Sequence, residues 1–165
     1  MTATALANIR VLDLTYHIVG PYRTKLLVDF GADVIKVEPA DGGDPAGRYG
    51  PFPHDEPYPE KSALFLHLAP SKRGLTLNLK SSAGKGLFKM LIQEGDILVE
   101  NFSPRVMPSL GLASTTLKAL NPRLVMTSIS NFGQSSPYRH RDGGPALDIP
   151  HRLCLCWGGR SAPES

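Results

Sequence analysis

Two short apolar runs with a helix-length segment between them occupy residues 9–38, and that succession restricts the fold more than any other feature of the chain. "IRVLDL" (9–14) has the length and composition of a buried strand. In "GPYRTKLLVDFGAD", Pro21 suits a first helical turn. Tyr22, Leu26 and Phe30 recur at i, i+4, i+8 and predict the inward face, and Gly31 supplies a natural stop. "DVIKVE" (33–38) is the second strand. Two strands bridged by one helix run parallel, because a hairpin could not accommodate so long a connection.

The alternation resumes after a run from Pro39 to Pro59 that is rich in Pro, Gly and Asp and has no periodicity. Loops of that length in compact domains are usually functional or mobile. "EKSALFLHL" predicts a short helix, and Leu75, Leu77 and Leu79 alternate through a strand at 74–79. "SSAGKGLFKMLIQEGD" predicts an amphipathic helix with Leu87, Phe88 and Leu91 inward and Gly95 at its end. "ILVE" (97–100), "STTLKALNPR" and "LVMTSIS" (124–130) read as strand, helix and strand. The fold class is therefore α/β: a Rossmann-like, mostly parallel sheet with flanking helices.

The chain has 165 residues, enough for one domain with a real core, and 41% hydrophobic against 20% charged residues marks it as globular. A net charge of +3 suits an anionic small molecule and is too dispersed to indicate nucleic acid. No stretch approaches the roughly 20 apolar residues of a membrane span, and the N-terminus has no secretory pattern. Both cysteines, Cys154 and Cys156, lie in the final residues, so the body carries no disulfide framework. Their spacing supplies no zinc set, and no metal is expected. These features predict a cytosolic protein, or a mitochondrial-matrix one in a eukaryote.

Ligands of open parallel sheets collect where strands run out into loops. The first such turn, "TYHIVGPYR", lacks the three glycines of a dinucleotide fingerprint, having only Gly20, so Glu38 has no ribose to bind. His17 is a candidate acid–base residue whose bland alternative is a structural role. Lys72 and Arg73, beside "TLNLK", and Arg139 and Arg141, flanking His140, are cations suited to phosphate, or else solvated charges. In "ENFSPRV", Ser103 is a candidate helix cap whose neighbouring N–H groups suit an anion. Asp148 has no partner that would mark it as a nucleophile.

"VLDLTYHIVGPYRTKLLVDFGADVIKVEPADGGDPAGRYGP", "SKRGLTLNLKSSAGKGLFKMLIQEGDILVENFSP" and "LGLASTTLKALNPRLVMTSISNFGQSSPYRHR" together resemble the family III CoA-transferases of the CaiB/BaiF type, from about residue 8 to about residue 149. Each motif is weak, but their common order and spacing are specific. The resemblance implies a large Rossmann-like domain, of which residues 1–149 form the N-terminal portion, within an interlocked homodimer. It implies coenzyme A as ligand, held by His17, Ile18 and Val19 of "YHIVGP" and by Ala69, Pro70, Ser71, Lys72 and Arg73 of "APSKR". Asn101, Phe102 and Ser103 of "ENFS" and Arg139 and Arg141 of "SSPYRHR" complete the set. Ile18 stands where some relatives carry a polar residue.

Acyl-CoA and a free carboxylic acid are the implied reactants, with transfer through an aspartyl anhydride and an aspartyl-CoA thioester. The family's nucleophilic aspartate lies beyond the matched region, so no catalytic residue is assigned and Asp148 does not inherit the role. "PHRLCLCWGGRSAPES" (150–165) departs from the family pattern and is expected to be an aberrant, disordered tail on a truncated chain. An α-methylacyl-CoA racemase is the nearest alternative, although that branch places a His where Leu147 precedes Asp148. A non-catalytic CoA-binding or interaction module is the alternative of another class.

Overall fold

The computed structural model describes residues 4–139. Five strands form one parallel sheet: β1 (Arg10–Leu14), β2 (Asp33–Glu38), β3 (Arg73–Thr76), β4 (Ile97–Glu100) and β5 (Val125–Ser128), in the order β3-β2-β1-β4-β5. Helices α1 (Val19–Asp29), α2 (Ala63–Leu68), α3 (Ser82–Glu94), α4 (Val106–Ser109) and α5 (Ser114–Leu120) make the crossovers. The predicted α/β class and each predicted strand and helix from residue 9 to residue 130 are present. β3 ends at Thr76, short of the expected Leu79.

The two faces of the sheet are covered unequally. On one, Leu12, Leu14, Leu98, Phe88, Ile92 and Leu117 belong to a large cluster in which α3 and α5 pack on the strands. On the other, Val11, Ala32, Val34 and Val99 form a smaller cluster against Leu27 and Val28 of α1.

The inward face of α1 is not the predicted one. Tyr22, Leu26 and Phe30 are 49%, 40% and 59% exposed, while Gly20, Pro21 and Thr24 are buried. The reason is chemical: the sheet beneath α1 carries buried charge, and Thr24 satisfies it where a leucine could not. α3 also differs in part, since Gly84, Phe88 and Ile92 form its buried row and Leu87 faces out. Gly84 is required there, because a Cβ would stand 2.1 Å from the Asn78 carbonyl oxygen.

The Pro-rich run is folded as short 3-10 turns, Pro45–Arg48, Pro53–Asp55 and Pro59–Lys61. Two buried side chains pin it. Asp44 caps the first turn through the Ala46 amide, and Ser62 donates to the carbonyls of Ala46 or Tyr49 while capping α2 at Phe65.

Candidate functional site

Strand order puts the switch in winding direction between β1 and its neighbour β4. The chain leaves β1 toward α1 on one face and leaves β4 toward α4 and α5 on the other. The two exit loops therefore emerge together at the C-terminal rim, the usual ligand position in such sheets, before turning to opposite faces. Residues 15–18 and 101–105 line the rim.

These loops are joined directly. The Asn101 side-chain amide donates to the Tyr16 carbonyl at 2.8 Å and its oxygen accepts from the Tyr16 amide at 3.0 Å. The Tyr16 ring lies 5.5 Å from Phe102 and 5.0 Å from His17, which in turn lies 6.1 Å from Tyr49. α1 begins at Val19 with no capping side chain and no acid in its first turn, so its positive end faces the same rim. Gly20 lets the helix start lie on the turn, because a Cβ there would meet the Thr15 Cβ at 2.3 Å.

Beneath the rim lie two buried ion pairs. Asp13 of β1 is fully buried and meets the Lys72 ammonium at 3.1 Å. Thr24 donates to it at 2.6 Å, and Thr15 donates through both its amide and its hydroxyl. Lys36 of β2 meets Asp44 at 2.7 Å and donates to the Thr15 carbonyl at 2.9 Å. Burial opposes ionisation of Asp13, but the Lys36 and Lys72 charges and the two threonine hydrogen bonds outweigh it and hold its carboxyl below the ordinary value. Burial lowers Lys72 as well, with Asp13 acting in the opposite direction. The donors converging on Asp13 favour its charged form.

Two further carboxylates stand at strand ends. Burial raises Glu100 above its ordinary value, offset in part by hydrogen bonds from Ser128 and the Phe102 amide. Burial likewise raises Glu38, whose Oε1 has no hydrogen-bond partner among the described residues.

The expected ligand residues fall into separate groups. His17, Ile18 and Val19 lie at the rim with Asn101, Phe102 and Ser103. Ala69, Pro70, Ser71 and Lys72 precede β3, on its entrance side, whereas the rim loops follow their strands.

Lys72 and Arg73 do not point the same way. The Lys72 side chain is 1% exposed and is held by Asp13, the Pro21 carbonyl and Thr24. Arg73 points away to Asp33 at 2.6 Å, in an exposed cluster with Arg10 and Glu94 at the N-terminal edge of the sheet. Side chains alternate along a strand, so neighbours in sequence are sent to different sides. Ser103 is exposed and caps nothing with its side chain: α4 starts at Val106 after Arg105, and only the Ser103 carbonyl accepts from the Val106 amide. Arg139 is exposed on the loop that follows β5. Arg141, Asp148, Cys154, Cys156 and the tail 150–165 lie outside the described residues.

Sequence reasoning missed Asp13, Lys36 and Asp44. The first two carry a readable signal, a charge in the middle of an otherwise apolar strand, "VLDL" and "VIKVE". Among the described residues no group of three or more His, Cys, Asp or Glu side chains could hold a metal, and no helix is long and apolar enough to cross a membrane.

Known proteins match this chain along most of its length. The profile of CoA-transferase family III covers residues 6–150. A succinyl-CoA–L-malate CoA-transferase alpha subunit from Chloroflexus aurantiacus is 39% identical over 140 residues, 84% of this chain and 32% of that protein. A formyl-CoA:oxalate CoA-transferase from Streptomyces coelicolor is 41% identical over 138 residues, 84% of this chain and 32% of that one. Among solved structures, a CaiB/BaiF family protein from Brucella suis superposes with a TM-score of 0.77 at 34% identity, covering 86% of this chain and 37% of the other. The chain thus spans about a third of the length of the curated relatives it matches. The parallel sheet, its rim loops and these relatives agree, and the chain belongs to CoA-transferase family III.

Proposed function

We propose that this chain forms the CoA-binding portion of a CoA-transferase, with the ligand seated on the rim between the β1 and β4 exit loops. The observation that carries the reading is the joining of those loops through Asn101 and Tyr16 beside the uncapped start of α1. His17, Ile18, Val19, Phe102 and Ser103 supply the surface, and Arg139 and Arg141 supply phosphate-pairing cations, while Ala69, Pro70 and Ser71, on the entrance side of β3, are left out of the rim site. Lys72 is left out as a cation because its ammonium is already buried against Asp13.

Group transfer between an acyl-CoA and a free carboxylic acid through an aspartyl-CoA thioester is the reaction to which such a site would contribute. In that reaction the carboxylate attacks the thioester carbonyl, the C–S bond breaks and CoA leaves as thiolate. That step needs a carboxylate held on the carbonyl, and neither Asp13 nor Glu100 is free for it. Asp13 is buried in its ion pair, and Glu100 accepts from the Phe102 amide. The described residues thus support CoA binding and assign no nucleophile. The family relationship also supports a homodimer, whose formation sedimentation would measure.

Calorimetric titration of CoA into the purified chain and into Val19→Glu is the test. Val19 is 47% exposed, so the substitution spares the core while placing a carboxylate beside the phosphates. Saturable binding weakened about tenfold or more by Val19→Glu is expected, since facing like charges cost several kcal/mol. No saturable binding by the wild type, or equal binding by the variant, refutes the site.

A further inference from the structure

The turn leaving β1 is held almost entirely by side chains from elsewhere. The Thr15 amide donates to Asp13 and the Thr15 carbonyl accepts from Lys36. Both polar groups of the Tyr16 backbone pair with Asn101. The His17 amide donates to Asp44 Oδ1 at 3.0 Å, while Asp44 Oδ2 receives Lys36 at 2.7 Å. Five successive backbone groups are thus taken up by four side chains from β1, β2, the β4 exit loop and the Pro-rich run. His17 meanwhile sits at φ 65°, a left-handed conformation that a residue with a Cβ adopts only when its surroundings impose it.

A turn that merely connected strand to helix would leave these groups to water, as surface turns do. Here the buried Lys36–Asp44 pair fixes the acceptor for His17, and Asn101 fixes Tyr16 from the β4 exit loop. The product is a defined row of rings, Phe102, Tyr16, His17 and Tyr49, at the rim. We propose that Asn101 and Asp44, the latter braced by Lys36, are positioning residues that hold the Thr15–His17 turn in its ligand-ready shape before any ligand arrives. This rests on the reading of the rim as a CoA site, and it changes the role of Asn101 from a ligand contact to a clamp. Preorganisation of this kind raises affinity because the turn has no ordering cost left to meet on binding.

The experiment combines amide hydrogen exchange by NMR, without ligand, with CoA titration of the full chain. The wild type should protect the Tyr16 and His17 amides about tenfold or more over exposed loop amides. Asn101→Ala should release Tyr16, and Asp44→Ala/Lys36→Met should release His17, the double change avoiding an unpaired buried ammonium. Each should weaken CoA about tenfold. Asp44→Asn/Lys36→Met keeps an acceptor for His17 and also leaves no unpaired ammonium, so it should retain His17 protection and stay within about threefold of wild-type affinity, a rescue that a purely structural loss would not show. Free exchange of both amides in the wild type overturns the proposal. So do variants that release the amides yet bind CoA within twofold of a wild type that binds. Protection and release as described in a wild type that fails to bind CoA support the clamp and refute the CoA reading alone.

Discussion

Lys72→Met separates an internal role for this ammonium from a ligand-binding one. Its Nζ makes three contacts, to Asp13 Oδ2 at 3.1 Å, the Pro21 carbonyl at 2.9 Å and Thr24 Oγ1 at 2.8 Å. Methionine fills the same channel and supplies none of them. Asp13 would remain a fully buried carboxylate with its threonine donors and the more distant Lys36 charge. Removing one partner of a buried pair costs about 3–5 kcal/mol, and the surviving donors place this case near the lower end, about 3 kcal/mol. For a chain of this size that corresponds to a fall of about 6–12 °C in Tm. Asp13→Asn with Lys72→Met removes both charges and should recover most of the loss, because an ion pair replaced by neutral groups of similar volume is often close to neutral. Urea denaturation followed by circular dichroism, read as a midpoint change at constant m, measures it. Arg73→Ala is the control: its side chain is 62% exposed, and its pair with Asp33 should contribute at most about 1 kcal/mol. A Lys72→Met loss below about 1 kcal/mol, together with weakened CoA binding, would show that the ammonium serves the ligand instead.

Other outcomes follow from the same structure. Gly84→Ala should destabilise the chain by about 1–3 kcal/mol or prevent folding, since its Cβ meets backbone at Asn78; an unchanged melt would contradict that packing. Burial lifts the folded pKa of Glu100 above its ordinary value, so its ionised form opposes folding above the raised value and the penalty fades as pH falls toward the ordinary one. Glu100→Gln should therefore raise Tm relative to wild type more at pH 8 than at pH 5, and an equal shift at both would rule out the burial cost. Asp13 has the opposite sign: its contribution is present above the ordinary carboxylate value and is lost as pH falls from there through the depressed folded value, so Asp13→Asn should blunt the acid limb of the melt profile. The exposed row Val19, Tyr22, Leu26 and Phe30 should bind an apolar dye, with Leu26→Lys plus Phe30→Glu removing that signal; dye fluorescence unaffected by the pair would place the surface elsewhere.

The elements were legible because strand-length apolar runs and helix-length segments alternate with unambiguous stops. The face of α1 was not. Periodicity finds the row that repeats, and Tyr22, Leu26 and Phe30 do repeat, but the row that packs holds Gly20, Pro21 and Thr24. Small and polar residues carry little hydrophobic signal, yet they suit a sheet surface that contains Asp13. α3 shows a milder form of the effect, with Gly84 continuing the Phe88–Ile92 row one turn earlier.

The candidate site divides along the same physical line. The exit loops of β1 and β4 could be placed from the order of elements, because parallel winding sends them to one rim whatever their side chains. The direction of a basic side chain beside a strand could not be read that way. Lys72 and Arg73 are adjacent in sequence, and one crosses beneath α1 to Asp13 while the other leans to Asp33. What decides between them is the partner, and each partner lies forty or more residues away. Asp13 and Lys36 carried the missing information. A charge inside an apolar strand must be compensated, and the nearest supply of opposite charge then predicts where the intervening loops fold back. On that reasoning Asp13 calls for a cation from outside β1, and Lys36 calls for an acid, which Asp44 supplies from a run whose composition gave no reason to expect a buried residue. The same pairs that hold the strands' charges also fix Thr15 and His17, so the stability of the sheet and the shape of the rim rest on one set of side chains.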